Sequence, residues 1–436
     1  MFQYAATYAE ASLSAGVIFA LLALLVLFFI GVPIWLSLGI GATLLIYNTN
    51  AIPLDLLGES LFAGLDAFPL IAVPLFVLTG DALVRTGLSN KLLDVAEAML
   101  GSIRSGFGTS TVLGCGFFSC ISGSDAAGAA AVGRIATHRL VEKGYPPAYA
   151  AALVAAGSCT GILIPPSIGY IIIGLVLGIS VSTLFIAALI PGLLVLIAIM
   201  LTNVILNYRY RYEESKEKFS MSHLISTLWE AKFALFVPVF ILGGIYSGIF
   251  TPTEAAGAAV VFILSIGFFQ KPIGLRALTE MLLSSVKVNG VIVPIIAISL
   301  PLAQALSLLQ IPQTLVGQLT SISSDPAFII AVMLLVFVVA GCFMEATPNI
   351  VILGPLMLPL ATTIGMDPIH FSIFMLTALG LGFITPPLGL NLFVLSAITG
   401  TPTTKIARFA VSFVLSMLLV AVILAMFPIL SLALIK

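Results

Sequence analysis

Charge is what this 436-residue sequence has least of: Asp, Glu, Lys and Arg make up 8% of it, while 60% is apolar. A soluble domain carries about 25% charged residues, so a water-facing surface of ordinary charge density cannot be built here. An integral membrane protein follows. The 17 Lys and Arg balance 18 Asp and Glu to a net charge of -1, which removes the electrostatic case for nucleic acid. Cysteine is nearly as scarce. Cys115, Cys120, Cys159 and Cys342 have apolar neighbours and no CxxC spacing, so small-residue packing is expected rather than disulfides or zinc. The three histidines, His138, His223 and His370, read as interfacial. The sequence contains no HExxH, no GxGD ahead of an aspartate and no GxxxxGK[ST], so neither an intramembrane hydrolase nor ATP-driven chemistry is expected, and no organic cofactor. The first apolar run lacks a basic flank before it and continues into more membrane, so no cleavable signal peptide is expected.

What is present is a series of apolar runs. Those able to cross a hydrocarbon core, which takes roughly 17–25 residues, lie near 13–31, 33–47 (short), 68–85, 148–178, 181–207, 231–250, 254–269 (short), 284–308, 369–397 and 408–434. Two more, 105–140 and 326–362, are interrupted near the middle by small or polar clusters. They read as re-entrant helical hairpins, tolerated only where the broken backbone is covered by protein or lines a cavity. The fold class is therefore an all-α polytopic membrane protein with about ten transmembrane helices and two re-entrant hairpins. Under this arrangement 16 of the 17 Lys and Arg fall on one side and only Lys436 on the other. The positive-inside rule then puts both termini outside and the 208–230 loop inside. That loop is a solvated connector or a headgroup contact. Segments 52–66, 88–101 and 272–283 read as helices lying in the interface plane, as anchors or as braces for a moving part.

A single constant offset in residue number carries Gly133 onto Gly354, Gly144 onto Gly365, Pro147 onto Pro368, Gly161 onto Gly382 and Pro165-Pro166 onto Pro386-Pro387. The same offset superposes the span pattern without a gap. The chain divides into a first repeat at 1–207 (hairpin 105–140, broken helix 148–178), the loop 208–230, and a second repeat at 231–436 (hairpin 326–362, broken helix 369–397). Five spans and one hairpin per copy give the two copies opposite orientation. Such inverted repeats mark secondary transporters, whose site lies near the midplane.

The chemistry concentrates at the interruptions. The first hairpin tip reads Ile121-Ser-Gly-Ser-Asp125 and the second Gly341-Cys-Phe-Met-Glu-Ala-Thr-Pro-Asn349. Proline pairs interrupt both broken spans and leave carbonyls without donors. In lipid each unpaired group costs about several kcal/mol, and a desolvated cation coordinated by carbonyls and hydroxyls relieves it. Small residues there serve close helix packing, ion binding or both. Asp81 and Glu254 read as markers of span ends. Asp125 and Glu345, at the hairpin tips, are expensive enough in a membrane to be read as functional.

The phrases Ile121-Ser-Gly-Ser124, Gly144-Tyr145, Ile162-Leu-Ile-Pro-Pro-Ser-Ile168, Leu184-Phe-Ile-Ala187 with Pro191-Gly192, Gly248-Ile-Phe-Thr-Pro-Thr-Glu-Ala-Ala256, Gly365-Met-Asp-Pro-Ile-His-Phe371 and Ile384-Thr-Pro-Pro-Leu-Gly389 resemble the large membrane subunit, DctM type, of tripartite ATP-independent periplasmic (TRAP) transporters over nearly the whole chain. The resemblance implies a sodium-coupled importer of an organic acid (a C4-dicarboxylate, sialic acid or a similar carboxylate) in a bacterial or archaeal inner membrane, working by an elevator motion. It implies two partners: a separate small four-helix membrane subunit and a periplasmic substrate-binding protein. It implies two or more sodium ions, one at Ser122, Ser124, Gly161, Ile164 and Pro165, another at Gly341, Gly382, Thr385 and Leu388. Substrate contacts are expected from Ser124, Asp125, Ser167, Glu345, Thr347 and Asn349. Family tips often read Ser-Ser where this one has Ser124-Asp125, and Glu345 stands where Asp is common. The competing readings are a self-sufficient sodium/divalent-anion symporter of the same superfamily and, more remotely, a channel or an intramembrane hydrolase.

Overall fold

In lipid every backbone amide needs a partner within its own segment, so apolar runs fold as helices. Helices are the regular structure of the computed structural model, which describes residues 15–49, 53–213, 219–270 and 274–435. The parts of the charge count that rest on Lys216, Lys218, Lys271 and Lys436 lie outside the described residues. The first half runs α1 (Ala15–Ile30), α2 (Ile34–Thr49), α3 (Leu54–Leu65), a 3-10 turn at Phe68–Ile71, α4 (Ala72–Arg85) and α5 (Leu88–Leu100). A helical pair follows, α6 (Gly106–Ser122) and α7 (Asp125–Glu142). Next comes a broken span of α8 (Pro147–Ser158), α9 (Thr160–Leu163) and α10 (Ile168–Leu177), bent by 40°. The long α11 (Val181–Tyr210) closes this half.

The second half begins with α12 (Met221–Glu230) and α13 (Lys232–Tyr246), which meet at 67°. Then come α14 (Pro252–Gln270), α15 (Leu275–Leu308) and α16 (Ile311–Ile322). The second pair is α17 (Pro326–Phe343) with α18 (Ala346–Thr363), followed by α19 (Pro368–Gly382), α20 (Leu390–Thr399), α21 (Thr403–Met426) and the short α22 (Ile429–Leu432). The offset that carries Pro147 onto Pro368 also carries both ends of α7 onto those of α18. Among the described residues, seven helices are long and apolar enough to cross a membrane, or nine if each bent pair is one span. The chain is a multi-pass membrane protein.

Local chemistry sets the boundaries. Asp367 accepts from the Ile369 amide at 2.8 Å, with Pro368 supplying the preset first turn of α19; Asp325 caps α17 in the same way at 3.0 Å. Both follow the preference for Asp as N-cap and Pro as first helical residue. Gly123, with φ +64, makes the left-handed turn between α6 and α7 that a residue with a side chain rarely adopts. Trp229 is 70% exposed, and Lys232 Nζ sits 3.8 Å from its ring centroid, an amphipathic pairing suited to a headgroup boundary.

Two differences from the sequence reading stand out. Segment 272–283 is not a separate interfacial helix: its described part is the start of α15. At a rise of about 1.5 Å per residue this helix reaches about 51 Å, beyond a core of about 30 Å, so the first turns with Arg276 and Glu280 project past it. The helix α16, unforeseen because its glutamines, threonine and Gly317 obscure its apolar face, follows instead.

The helices form two groups. In one, α4 packs on α14 and α15, and α15 on α2 and α3. In the other, α8 packs on α6, α7, α20 and α21, while α19 packs on α17, α11 and α21. The groups meet along α4 with α6 and along α15 with α18.

Candidate functional site

Each hairpin tip abuts the break of a discontinuous helix. A Cβ on Gly161 would lie 2.7 Å from the Ser124 carbonyl oxygen and from the Asp125 amide nitrogen. The second half repeats this contact, since a Cβ on Gly382 would lie 2.5 Å from the Gly341 carbonyl carbon. Both close approaches fall at the same depth in their span, Gly161 counted from Pro147 and Gly382 counted from Pro368. That depth is about 21 Å of helical rise, so the tips stop within the span. Each tip is also tied by one backbone bond. The Ile168 amide donates to Gly123 O and the Gly389 amide to Cys342 O, both at 3.1 Å, and the two donors are related by the same repeat offset.

The remaining expected sodium residues surround these contacts. Ile164 is buried, in extended conformation, ahead of the buried Pro165. Ser122 is 1% exposed and its hydroxyl has no partner. Thr385 Oγ1 donates to Leu381 O at 2.7 Å, and Leu388 is 40% exposed. Ser124 Oγ caps α7 by accepting from the Ala127 amide at 3.3 Å.

A cavity of about 510 Å³ opens where the two helix groups face each other. Ser122, Ser124, Asp125, Glu345 and Thr347 line it, so four of the expected substrate residues converge there. Ser167 and Asn349 do not share that wall. Ser167 Oγ donates to Ile162 O at 2.7 Å, and Asn349 Nδ2 to Met344 O at 3.1 Å; both residues are fully buried and spend these donors on local backbone.

Three charged cavity residues lie outside the set expected from sequence. Asp81 reads there as a span end, yet it lines the cavity with Arg85, which lies 3.6 Å from Asp81 and 3.0 Å from Glu280 on α15. Arg134 lines it from α7. Its place on the hairpin arm is the available signal, because the run Asp125–Arg134 passes the tip in under three turns. Glu254, by contrast, does mark a span start, accepting from the Thr251 amide at 2.8 Å.

Another departure concerns Glu213, in the segment read as a solvated connector. Glu213 is 4% exposed and its carboxylate accepts from the Phe107 amide at 2.9 Å, the Gly108 amide at 3.3 Å and Tyr145 OH at 2.8 Å. It therefore satisfies the open N–H groups of α6, at the end where the helix dipole favours an anion. Asn207 holds the segment in place, accepting from the Glu213 amide and donating to Glu213 O, both at 2.9 Å. His370, in the first turn of α19, is fully buried, and its Nδ1 bonds the Ser431 hydroxyl.

Known proteins resemble the chain over most of its length. The family model described as the DctM component of the tripartite ATP-independent periplasmic transporter matches residues 21–430. The C4-dicarboxylate TRAP transporter large permease protein DctM of Pseudomonas aeruginosa is 38% identical over 91% of this chain and 93% of its own length. The sialic acid TRAP transporter large permease protein SiaM of Vibrio cholerae is 31% identical over 95% and 96%. The isethionate TRAP transporter permease protein DctMQ of Oleidesulfovibrio alaskensis is 33% identical over 92% of this chain, which spans 63% of that longer protein. Among solved structures, the YdaH transporter of Alcanivorax borkumensis shares the fold, with a TM-score of 0.56 over 86% of this chain and 88% of that one at 16% identity. With a family match across nearly the full chain and relatives this similar along most of their own length, this chain belongs to the DctM family of TRAP transporter large permease subunits, a family of transporters rather than enzymes.

Proposed function

We propose that this subunit imports an organic acid across a bacterial or archaeal inner membrane, coupled to sodium. The observation that carries the reading is the paired closure of hairpin tips on helix breaks, Ser124 against Gly161 and Gly341 against Gly382, around one cavity. The donors at those closures are backbone carbonyls and hydroxyls, the hard oxygens that suit an alkali cation. Glycine at the contacts lets two backbones approach as closely as a shared ion requires. On this reading Ser122, Ser124, Gly161, Ile164 and Pro165 hold one ion, Ser122 through its backbone carbonyl so that its hydroxyl stays free, and Gly341, Gly382, Thr385 and Leu388 hold another. When bound, the ions neutralise the carbonyls left free at the proline breaks and lock the tips in place.

The two halves act as inverted repeats. The group built from α6–α11 and α17–α21 moves as an elevator against the group holding α4, α14 and α15. Relatives are named for C4-dicarboxylate, sialic acid and isethionate transport, all of which carry an acid group. We assign the same broad class here, delivered by a periplasmic binding protein and with a small four-helix membrane subunit completing the transporter. Both termini face the periplasm.

The test is uptake into proteoliposomes holding this subunit with its small partner, driven by an inward sodium gradient and supplied by the loaded binding protein. Sodium-dependent accumulation is expected, with weaker sodium activation in Ser124→Ala and Thr385→Ala. Uptake indifferent to sodium, or uptake by this subunit alone without the binding protein, would refute the reading.

A further inference from the structure

The importer reading leaves the charge of the cavity unaccounted for. Asp125 begins α7, Glu345 immediately precedes α18, and both line the cavity from opposite hairpin tips. Asp125 is 8% exposed and its Oδ2 has no partner. Neither acid is in an ion pair among the described residues, whereas the nearby Arg85 is already engaged by Asp81 and Glu280. Ser124 supplies the side-chain cap of α7 and Glu345 makes no cap bond; the first amides of α7 and Asn391 lie by the Asp125 carboxylate, which still leaves Oδ2 open. A second feature points the same way. The Ser122 hydroxyl, 1% exposed, lines the same cavity and has no partner. Buried charge and a buried hydroxyl are costly without a partner, so this end of the cavity lacks a donor-rich cation.

We propose that Asp125, Glu345 and Ser122 form a subsite for a cationic nitrogen of the substrate, so that the transported acid also carries an ammonium group. This rests on the importer reading and narrows its substrate class. An ammonium group has three donors, one for each carboxylate and one for the Ser122 hydroxyl. The same cavity also carries a cation, Arg134, which lies nine residues along α7 from Asp125 and has no ion pair among the described residues. An inorganic cation would meet the same oxygens. However, this end opens into about 510 Å³ of cavity, room for a ligand, rather than being closed over by backbone as at Gly161 and Gly382.

The test uses this subunit with its small partner in nanodiscs, and titrates matched pairs of probes that differ by a hydroxyl or an ammonium: malate with aspartate, and isethionate with taurine. In at least one pair the ammonium member is expected to bind tenfold more tightly or better. Asp125→Asn and Glu345→Gln should each shrink that preference at least tenfold, with the melting temperature of the ligand-free protein retained. The proposal is overturned if no ammonium member binds more tightly than its partner, or if the preference survives both substitutions. It is also overturned if Asp125→Asn acts only by removing the response to sodium chloride alone, which would assign the site to an inorganic ion. The wild-type comparison stands even if a variant fails to fold. Sodium-driven uptake of hydroxy acids alone would sink this proposal and leave the importer reading intact; absence of sodium-driven uptake for every probe, loaded on the binding protein, would sink that reading itself.

Discussion

Gly341 and Gly382 meet backbone to backbone, so close that a Cβ on Gly382 would stand 2.5 Å from the Gly341 carbonyl carbon. The second hairpin can rest in the break of α19 only because neither residue has a side chain. Overpacking at such a contact costs about 1–3 kcal/mol, equivalent to roughly five- to 150-fold in an equilibrium constant. Gly382→Ala and Gly161→Ala should weaken apparent sodium affinity by a factor in that range, read from sodium titrations of uptake. Gly290→Ala is the control. Gly290 lies within α15 with nothing within 4 Å of where a methyl would stand, and Ala favours a helix over Gly by about 1 kcal/mol, so transport and stability should hold or improve.

The Glu213 anchor makes a stability prediction. A buried hydrogen bond to a charged group contributes about 1.5–3 kcal/mol, and this carboxylate accepts three. Glu213→Ala should lower the thermal melting point in detergent clearly more than Tyr145→Phe, which removes one donor. If both variants melt within error of wild type, the segment after α11 is a passive connector after all.

The ion pair between Arg85 and Glu280 should matter far less. Its side chains are 33% and 47% exposed, and exposed pairs contribute about 0–1 kcal/mol. A double-mutant cycle with Arg85→Ala and Glu280→Ala should give a coupling below about 1 kcal/mol at low salt. At about 1 M salt, where screening acts over about 3 Å, the coupling should fade. A coupling of several kcal/mol would show that the pair is desolvated in the working transporter.

Orientation is testable by labelling. The His138 side chain is 82% exposed at the base of the first hairpin, and Ser324 is exposed before the second. The positive-inside arrangement puts them on opposite faces. An impermeant maleimide should reach His138→Cys only from the cytoplasmic side and Ser324→Cys only from the periplasmic side. Cys115, Cys159 and Cys342 are buried; Cys120 is half-buried, so both variants are made with Cys120→Ser to keep the background low. Labelling of both positions from the same side contradicts the arrangement.

Much of the molecule is legible in its residues. Scarce charge places it in lipid, run lengths mark the helices, and the Ser-Gly and Pro-Pro interruptions point to the places where tips and breaks meet. Hydropathy tells less about rotation and partners, because helices that are apolar on most faces carry little periodic signal. The boundary of α15 is obscured for a related reason: Arg276 and Glu280 look like an interfacial segment, although the helix continues unbroken past them.

Local composition and spacing dictate the solvent, most of the helices and the constant-offset correspondence of the two halves. Tertiary structure alone decided which polar groups face the cavity. Ser167 and Asn349 turn to their own backbone while Asp125, Glu345 and Arg134 share one cavity, and Glu213 leaves water to close the N-terminus of α6. Those outcomes follow from which donors packing brings within about 3 Å, a distance set between segments far apart in the chain.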